Sequence, residues 1–351
     1  MRLADVPTPA LCVDVDALDR NVARMAAFFR DRPCGLRPHF KAHKTPAIAR
    51  RQADAGCVGF TCQTLHEAAV LAHEGHRDLL VSNEIVDPAK RPLLAAVASR
   101  VRLTVAVDSA EGVAFLRGLP VEVLVDVNVG LPRCGVSPDD ALPLARTVVD
   151  VGLRLRGVMG YEGHAMALAA ASARADAARS SMATLLSVVA RLRADGLPVD
   201  VVSAGGTCTY RVTGTMPGVT EVQAGSYALM DRAYGAYGLP FEEALRCWTT
   251  VVSRSGRLAV LDAGLKTLAV DHGNPELPAD VPARVVLLSD EHTTLVVEDG
   301  FAPRVGDRVP LLPAHVDPTV NLHDRLYAVR GDDVVDVWPV AARGYPAPDR
   351  D

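Results

Sequence analysis

Lysine is scarce in this sequence. Of 37 Lys plus Arg, only Lys41, Lys44, Lys90 and Lys266 are lysine. Arginine stays protonated, so any chemistry that needs a neutral amine must use one of those four side chains or the N-terminus. Long apolar runs are also missing: none approaches the roughly 20 residues that cross a bilayer, which excludes a membrane partner of that kind. The opening MRLADVPTPALCVDVD carries charge where a signal peptide needs its apolar segment, so the expected location is the cytoplasm. The seven cysteines contain no C-x-x-C pair. That argues for a reducing compartment and against a disulfide framework or a thiolate zinc site. With a net charge of -5, 5% aromatics and no basic run, nothing recommends nucleic acid as a partner.

What the sequence has is a rhythm. Short β-branched runs at 36–40, 58–62, 78–82, 102–107, 121–127, 155–161, 199–204 and 220–225 alternate with segments carrying Ala, Leu and Arg at helical spacing. Eight such strands predict an α/β fold, a (β/α)8 TIM-type barrel over 1–245, with a doubly wound sheet as the competitor. ALCVDV at 10–15 adds an N-terminal strand outside the ring or in the second domain, and the Ala-rich run 165–178 reads as helix. From 246 to 351 short alternating strands divided by Gly, Asp and Pro predict a C-terminal all-β domain.

Alternation along 36–41 puts Arg37, His39 and Lys41 on one face, with Lys41 at the carboxyl end of the first strand, where barrels keep their active sites. Thr45-Pro46 then starts a helix, leaving Lys44 in a solvent-facing turn. An amine at Lys41 condenses with a carbonyl, either a substrate's or that of pyridoxal phosphate. A phosphate site distinguishes the two. Gly205, Gly206 and Thr207 follow the seventh strand and Gly225, Ser226 and Tyr227 the eighth, the two loops where barrels hold phosphate on backbone N–H groups. In PAHVDPT the two prolines favour an extended backbone, so His315 and Asp317 face one ion or form a surface pair. His164, just past the sixth strand, is a candidate base. Glu67 reads as a helix cap, and His73 and His76 as helix-end groups. Lys266 and Asp271-His272 belong either to a neighbouring subunit's site or to the polar surface.

Through TPALCVDVDALDRN, RPHFKAHKT, LVDVNVGLPRCGV, VQAGSYALMD and PAHVDPTVNLHD the chain resembles the fold-type III pyridoxal phosphate enzymes. Within them it resembles the D-threonine aldolase and D-serine dehydratase-like family. The resemblance implies that Lys41 carries the cofactor, that Arg133 lies beside its ring, and that Tyr161 approaches the pyridine nitrogen. It also turns His315 and Asp317 into ligands of a divalent metal, with His323 and Asp324 behind them. Where related dehydratases have His-x-Cys, suited to zinc, a carboxylate is harder and suits Mn²⁺ or Mg²⁺ as well. The implied activity is retro-aldol cleavage of a D-β-hydroxy-α-amino acid to glycine and an aldehyde, by a homodimer. The rivals are dehydration of D-serine or 3-hydroxyaspartate, cleavage of 3-hydroxyaspartate, a non-catalytic carrier of the cofactor, and a lysine aldolase without it.

Overall fold

The computed structural model describes residues 1–345. They divide into two compact units, one made of Met25–Lys41 and Gln52–Gly225, the other of Met1–Arg24, Ala42–Arg51 and the chain from Ser226 on. This division differs from a single boundary after residue 245 because the strand read at 10–15 takes the second of its two expected places. Strand β1, Ala10–Asp14, pairs antiparallel with a strand beginning at Leu245 and parallel with one beginning at Arg325, so its hydrogen bonds belong to the C-terminal unit.

In the barrel unit all eight expected strands are present: β2 Gly35–Leu36, β3 Phe60–Cys62, β4 Asp78–Glu84, β5 Arg102–Val107, β6 Glu122–Asp126, β7 Arg154–Gly160, β8 Val201–Ala204 and β9 Glu221–Val222. They are parallel, in the order β2-β9-β8-β7-β6-β5-β4-β3. The ring closes where Val58 N–H donates to Leu36 O at 2.9 Å, Thr61 N–H donates to Pro38 O at 2.9 Å, and His39 bridges Thr61 in parallel. Helices Leu65–His73, Arg91–Ala98, Ala110–Leu116, Ala141–Asp150 and Ala171–Ala194 follow β3 to β7. Glu67 is a cap as expected: its N–H donates to Thr64 Oγ1 and its carboxylate accepts from Gln63 N–H. The Ala-rich run begins in the 3-10 helix Gly163–Ala167 and is α-helical from Ala171. Before it the chain breaks at Leu168 and Ala169, whose carbonyls accept from Arg174 Nη1.

Side chains two apart on a strand share a face, and this stacks the barrel interior in layers. At the amino ends of the strands, Arg37 Nη1 donates to Asp78 Oδ1 at 2.8 Å, Arg156 donates to Asp78 Oδ2 at 3.1 Å and to Thr104 Oγ1 at 2.8 Å, and Arg102 donates to Glu122 at 2.8 Å. Arg37 Nε stands 2.8 Å from Glu221 Oε2, an ion pair off the N–H axis. Burial works against the Arg37 charge, but Glu221 and Asp78 outweigh it and its pKa rises. Asp78 is held below the usual carboxylate range because Arg37 and Arg156 overcome the cost of its burial. Above this base Leu80, Ala106, Leu124, Met159 and Val201 form a buried apolar layer. Above that, in the alternation Asp78–Leu80–Ser82 and Glu122–Leu124–Asp126, comes the mouth.

The second unit is built on a mixed sheet in the order β12-β13-β11-β10-β1-β15-β16, with β14 also on β10. Its strands are β10 Leu245–Ser255, β11 Leu258–Leu261, β12 Ala283–Leu288, β13 Thr293–Val297, β14 Arg308–Leu311, β15 Arg325–Arg330 and β16 Asp333–Pro339. The alternating burial of β10 and β13 matches the period-2 pattern read from the sequence.

Candidate active site

The first barrel strand is shorter than expected. It ends at Leu36, and Lys41 lies in the single 3-10 turn Phe40–Ala42. Hydrogen bonding to the neighbouring strand runs on past Pro38, with His39 N–H donating to Ala224 O at 3.0 Å. Arg37 sits in the base, His39 Nε2 is 3.4 Å from Ser82 Oγ, and Lys41 follows in the chain beyond the His39–Thr61 bridge, at the carboxyl ends of the strands. Lys41 is half-buried, and among the described residues Nζ makes no hydrogen bond or ion pair. Its neighbour in sequence behaves differently. Lys44 does not face solvent: its Nζ donates to Asn321 Oδ1 at 3.0 Å, and its carbonyl accepts from Ala342 N–H. His43 is fully buried and accepts from Thr45 N–H.

Three further mouth residues stand on the loops after β6 and β7. The LPRCGV loop returns to β6 through Asn128 N–H to Val136 O and Val136 N–H to Asp126 O, which holds Arg133 over the Tyr161 ring at 5.5 Å from its centroid. Tyr161 is packed against two glycines: a Cβ on Gly163 would stand 2.5 Å from Tyr161 Cε1, and one on Gly206 3.3 Å from Cε2. His164 needs a third. A Cβ on Gly130 (φ +126°) would fall 2.8 Å from His164 Cε1. The Nδ1 of His164 is buried without a hydrogen-bond partner. Asp126, almost fully buried beside them, is pushed up to about 7 by burial and by Glu84, with Arg133 pulling the other way.

The expected phosphate loops are corrected in part. Gly205 N–H donates to the buried Glu162 Oε2 at 3.1 Å, and Gly206 N–H to Thr209 Oγ1 at 3.1 Å, so these two donors are taken inside the loop. Glu162 also accepts from Thr213 Oγ1 at 2.6 Å. A glycine pair in sequence shows that backbone can come close to something, not to what; here it is a carboxylate 43 residues upstream. Thr207 is buried in the same loop. Gly225 closes the barrel unit, while Ser226 and Tyr227 open the other, in the 3-10 turn Ser226–Ala228. Both are buried, and the Tyr227 ring lies 5.7 Å from that of Phe241.

In the β unit, His315 and Asp317 are not on a continuous extended segment. His315 is extended (φ −139°, ψ 123°) and precedes the helix Val316–Asn321, which places Asp317 in a first helical turn. A proline is tolerated there, so Pro318 does not prevent the helix. Val316 N–H donates to Asp231 Oδ2 at 2.9 Å, and Asp231 Oδ1 caps the helix Arg232–Gly235 through Tyr234 N–H at 2.8 Å. Burial pushes the Asp231 carboxyl up to about 6, against the pull of those two N–H donors. Asp317 Oδ1 is buried without a hydrogen-bond partner. Beside His315 the fold brings two residues that sequence reasoning had left as surface or subunit-bridging groups. Donor atoms of Asp271, His272 and His315 lie within 4.8 Å of one another, and no signal short of the fold joins positions 44 residues apart. Lys266, by contrast, lies on the surface beside Glu291. His323 Nε2 is 2.9 Å from Thr267 O, and Asp324 pairs with Arg343.

A closed parallel ring with a lysine at its mouth, followed by a β unit, defines a class, and the comparisons agree with it. The sequence profile of the alanine racemase N-terminal domain matches residues 13–233, and that of a serine dehydratase domain matches 244–329. The chain belongs to the alanine racemase N-terminal domain family. It is 38% identical to a D-threonine aldolase from Arthrobacter sp. over 98% of this chain and 94% of that one. To a 3-hydroxy-D-aspartate aldolase from Paracoccus denitrificans (strain Pd 1222) it is 35% identical, over 97% and 93%. The crystal structure of D-threonine aldolase from Filomicrobium marinum superposes with a TM-score of 0.95, at 39% identity over 98% and 97% of the two chains. No helix among the described residues is long and apolar enough to cross a membrane.

Proposed function

We propose that this chain is a carbon-carbon lyase that uses pyridoxal phosphate and a divalent metal to cleave D-β-hydroxy-α-amino acids into glycine and an aldehyde. The observation that carries this reading is Lys41: a half-buried amine, unpartnered among the described residues, at the active end of the barrel. The length-wide similarity to D-threonine aldolases supports it.

The barrel residues fit the cofactor. Lys41 is the amine for its aldehyde, Arg133 and Tyr161 are a cation and a ring held against one another, and Gly163 and Gly206 leave the Tyr161 ring its place. Gly225, Ser226 and Tyr227, with Thr207, remain the candidates for its phosphate once the N–H groups of Gly205 and Gly206 are set aside. Bound there, pyridoxal phosphate supplies an electron sink for the charge left on the substrate's Cα when Cα–Cβ breaks. The donor set in the β unit fits a divalent ion: His315 offers an imidazole nitrogen, and Asp317 a buried oxygen otherwise without a partner. Such an ion supplies positive charge that lowers the pKa of a hydroxyl. His164 holds the remaining role. Its buried Nδ1 takes the substrate's β-hydroxyl proton, and Gly130 fixes where that nitrogen stands. Asp126, at about 7, is largely neutral below that pH and adds little negative charge beside Arg133.

From the mixed nitrogen and carboxylate donors we infer Mn²⁺, with Mg²⁺ and Zn²⁺ as alternatives. Seven free cysteines support a reducing, cytoplasmic setting. The resemblance supports a homodimer, which sedimentation of the holoenzyme checks.

Product analysis tests the reading. D-Threonine and D-3-hydroxyaspartate, supplied separately, are expected to give glycine plus the matching aldehyde, and the faster of the two names the side chain. A 2-oxo acid with ammonia would make the chain a dehydratase. No turnover with or without Mn²⁺ would make it a carrier. Borohydride treatment followed by peptide mapping is expected to tag Lys41.

A further inference from the structure

The β unit contains a pair that the reaction scheme does not use. Asp271 Oδ2 stands 2.6 Å from His315 Nδ1, and the His272 ring is stacked on that of His315 at 3.9 Å and 7°. Asp271 comes from the chain after Leu268 and His315 from the segment before the helix Val316–Asn321, so the contact is tertiary. The two strands of chain are also tied beyond it: Ala269 N–H donates to Thr319 Oγ1 at 3.1 Å, and Thr319 Oγ1 donates to His315 O at 2.7 Å.

We propose that Asp271 is the positioning residue of the metal-binding histidine, accepting the Nδ1–H of His315 and so presenting Nε2 to the ion. The chemistry is general: a neutral imidazole has one N–H and one lone pair, and a carboxylate that fixes the N–H on one nitrogen fixes the lone pair on the other. A carboxylate partner also makes the ligating nitrogen a better donor. The 2.6 Å separation is short, as a charge-assisted bond is. The stacked His272 ring restricts rotation of the imidazole out of that orientation. His315 is fixed by its backbone as well, since its carbonyl accepts from Thr319 and the following N–H is held by Asp231. Ring plane and tautomer are thus set by Asp271-His272, and the backbone by Thr319 and Asp231.

This inference rests on the reading of His315 as a metal ligand, and the experiment separates the two. Mn²⁺ is titrated into the holoenzyme and free Mn²⁺ is followed by its solution EPR signal, with no substrate present. The parent protein is expected to bind and His315→Ala to lose binding. Asp271→Ala is expected to raise the Kd by ~10- to 100-fold, and Asp271→Asn, which keeps an oxygen acceptor without the charge, to fall between. Asp271 is about half exposed (side chain 51%), so the unfolding midpoint should hardly move. An Asp271→Ala protein with the parent's Kd overturns the proposal, as does a lowered midpoint at unchanged Kd. A parent that binds no Mn²⁺, or a His315→Ala protein that binds it as tightly as the parent, overturns the metal reading itself.

Discussion

The two ends of the barrel use the same residue types to opposite ends. At the base, Arg37, Arg156 and Arg102 meet Asp78, Glu122 and Glu221 as close ion pairs, and each charge is offset by another. At the mouth Lys41 has no hydrogen-bonding or ionic partner among the described residues, His164 Nδ1 and Glu84 Oε1 are buried without hydrogen bonds, and Asp126 is pushed toward its neutral form. The apolar layer of Leu80, Ala106, Leu124, Met159 and Val201 lies between them. Buried charge that is paired serves the fold. Arg37 Nε and Arg156 Nε at the base also lack hydrogen bonds, but each faces a carboxylate, whereas the open polar atoms of the mouth are costly to keep and support the reading of a ligand at that end.

Lys41→Ala gives the largest expected effect: turnover falls by about 10³-fold or more, while the urea midpoint of the cofactor-free protein stays near that of the cofactor-free parent because the amine has no hydrogen-bonding or ionic partner among the described residues. A large loss of stability would move Lys41 from the functional end to the structural one. Arg37→Ala is the converse. It leaves the buried Glu221 without its partner and Asp78 with Arg156 and Arg102 alone, and should cost about 3–5 kcal/mol in urea unfolding, with KM for substrate little changed in the fraction that folds.

Per pH unit the effect of titration is smaller than either substitution, and the two ends should differ in sign. Asp78 has its pKa lowered, so its stabilisation is present above the unfolded value near 3.8 and is lost as pH falls through the folded one. Asp126 has its pKa raised from 3.8 to about 7, so its contribution is full below the unfolded value and is lost as pH rises toward 7. That loss is at most about 1.4 kcal/mol per pH unit. Asp126→Asn should therefore flatten the fall in stability between pH 4 and 7 in urea titrations at several pH values. An unchanged slope would mean that Asp126 ionises normally and that the contrast between the ends is not electrostatic.

Much of this was legible before any coordinates. The eight β-branched runs are spaced by helical segments, and that periodicity reports which residues must leave water. It does not report partners across the fold. The run 36–41 reads as one strand, yet β2 ends at Leu36 and Lys41 lies in a 3-10 turn. Gly205 and Gly206 read as anion donors until Glu162 and Thr209 are found bonded to them. Asp271 read as a subunit-bridging or surface group, with nothing in the sequence to join it to His315.

By itself the sequence determined the alternation of strands and helices, the small set of amines able to act, and the His-x-Asp triplet. These follow from local chemistry: hydrophobic period, side-chain pKa and spacing along one chain. Only the tertiary structure decided that β1 joins the C-terminal sheet, that Arg37 is locked in the base while Lys41 is open at the mouth, and that Asp271 holds His315. The reason is that hydrogen bonds and ion pairs, or the lack of one at Lys41 among the described residues, are decided over about 3 Å of space, and distance along the chain does not fix distance in space.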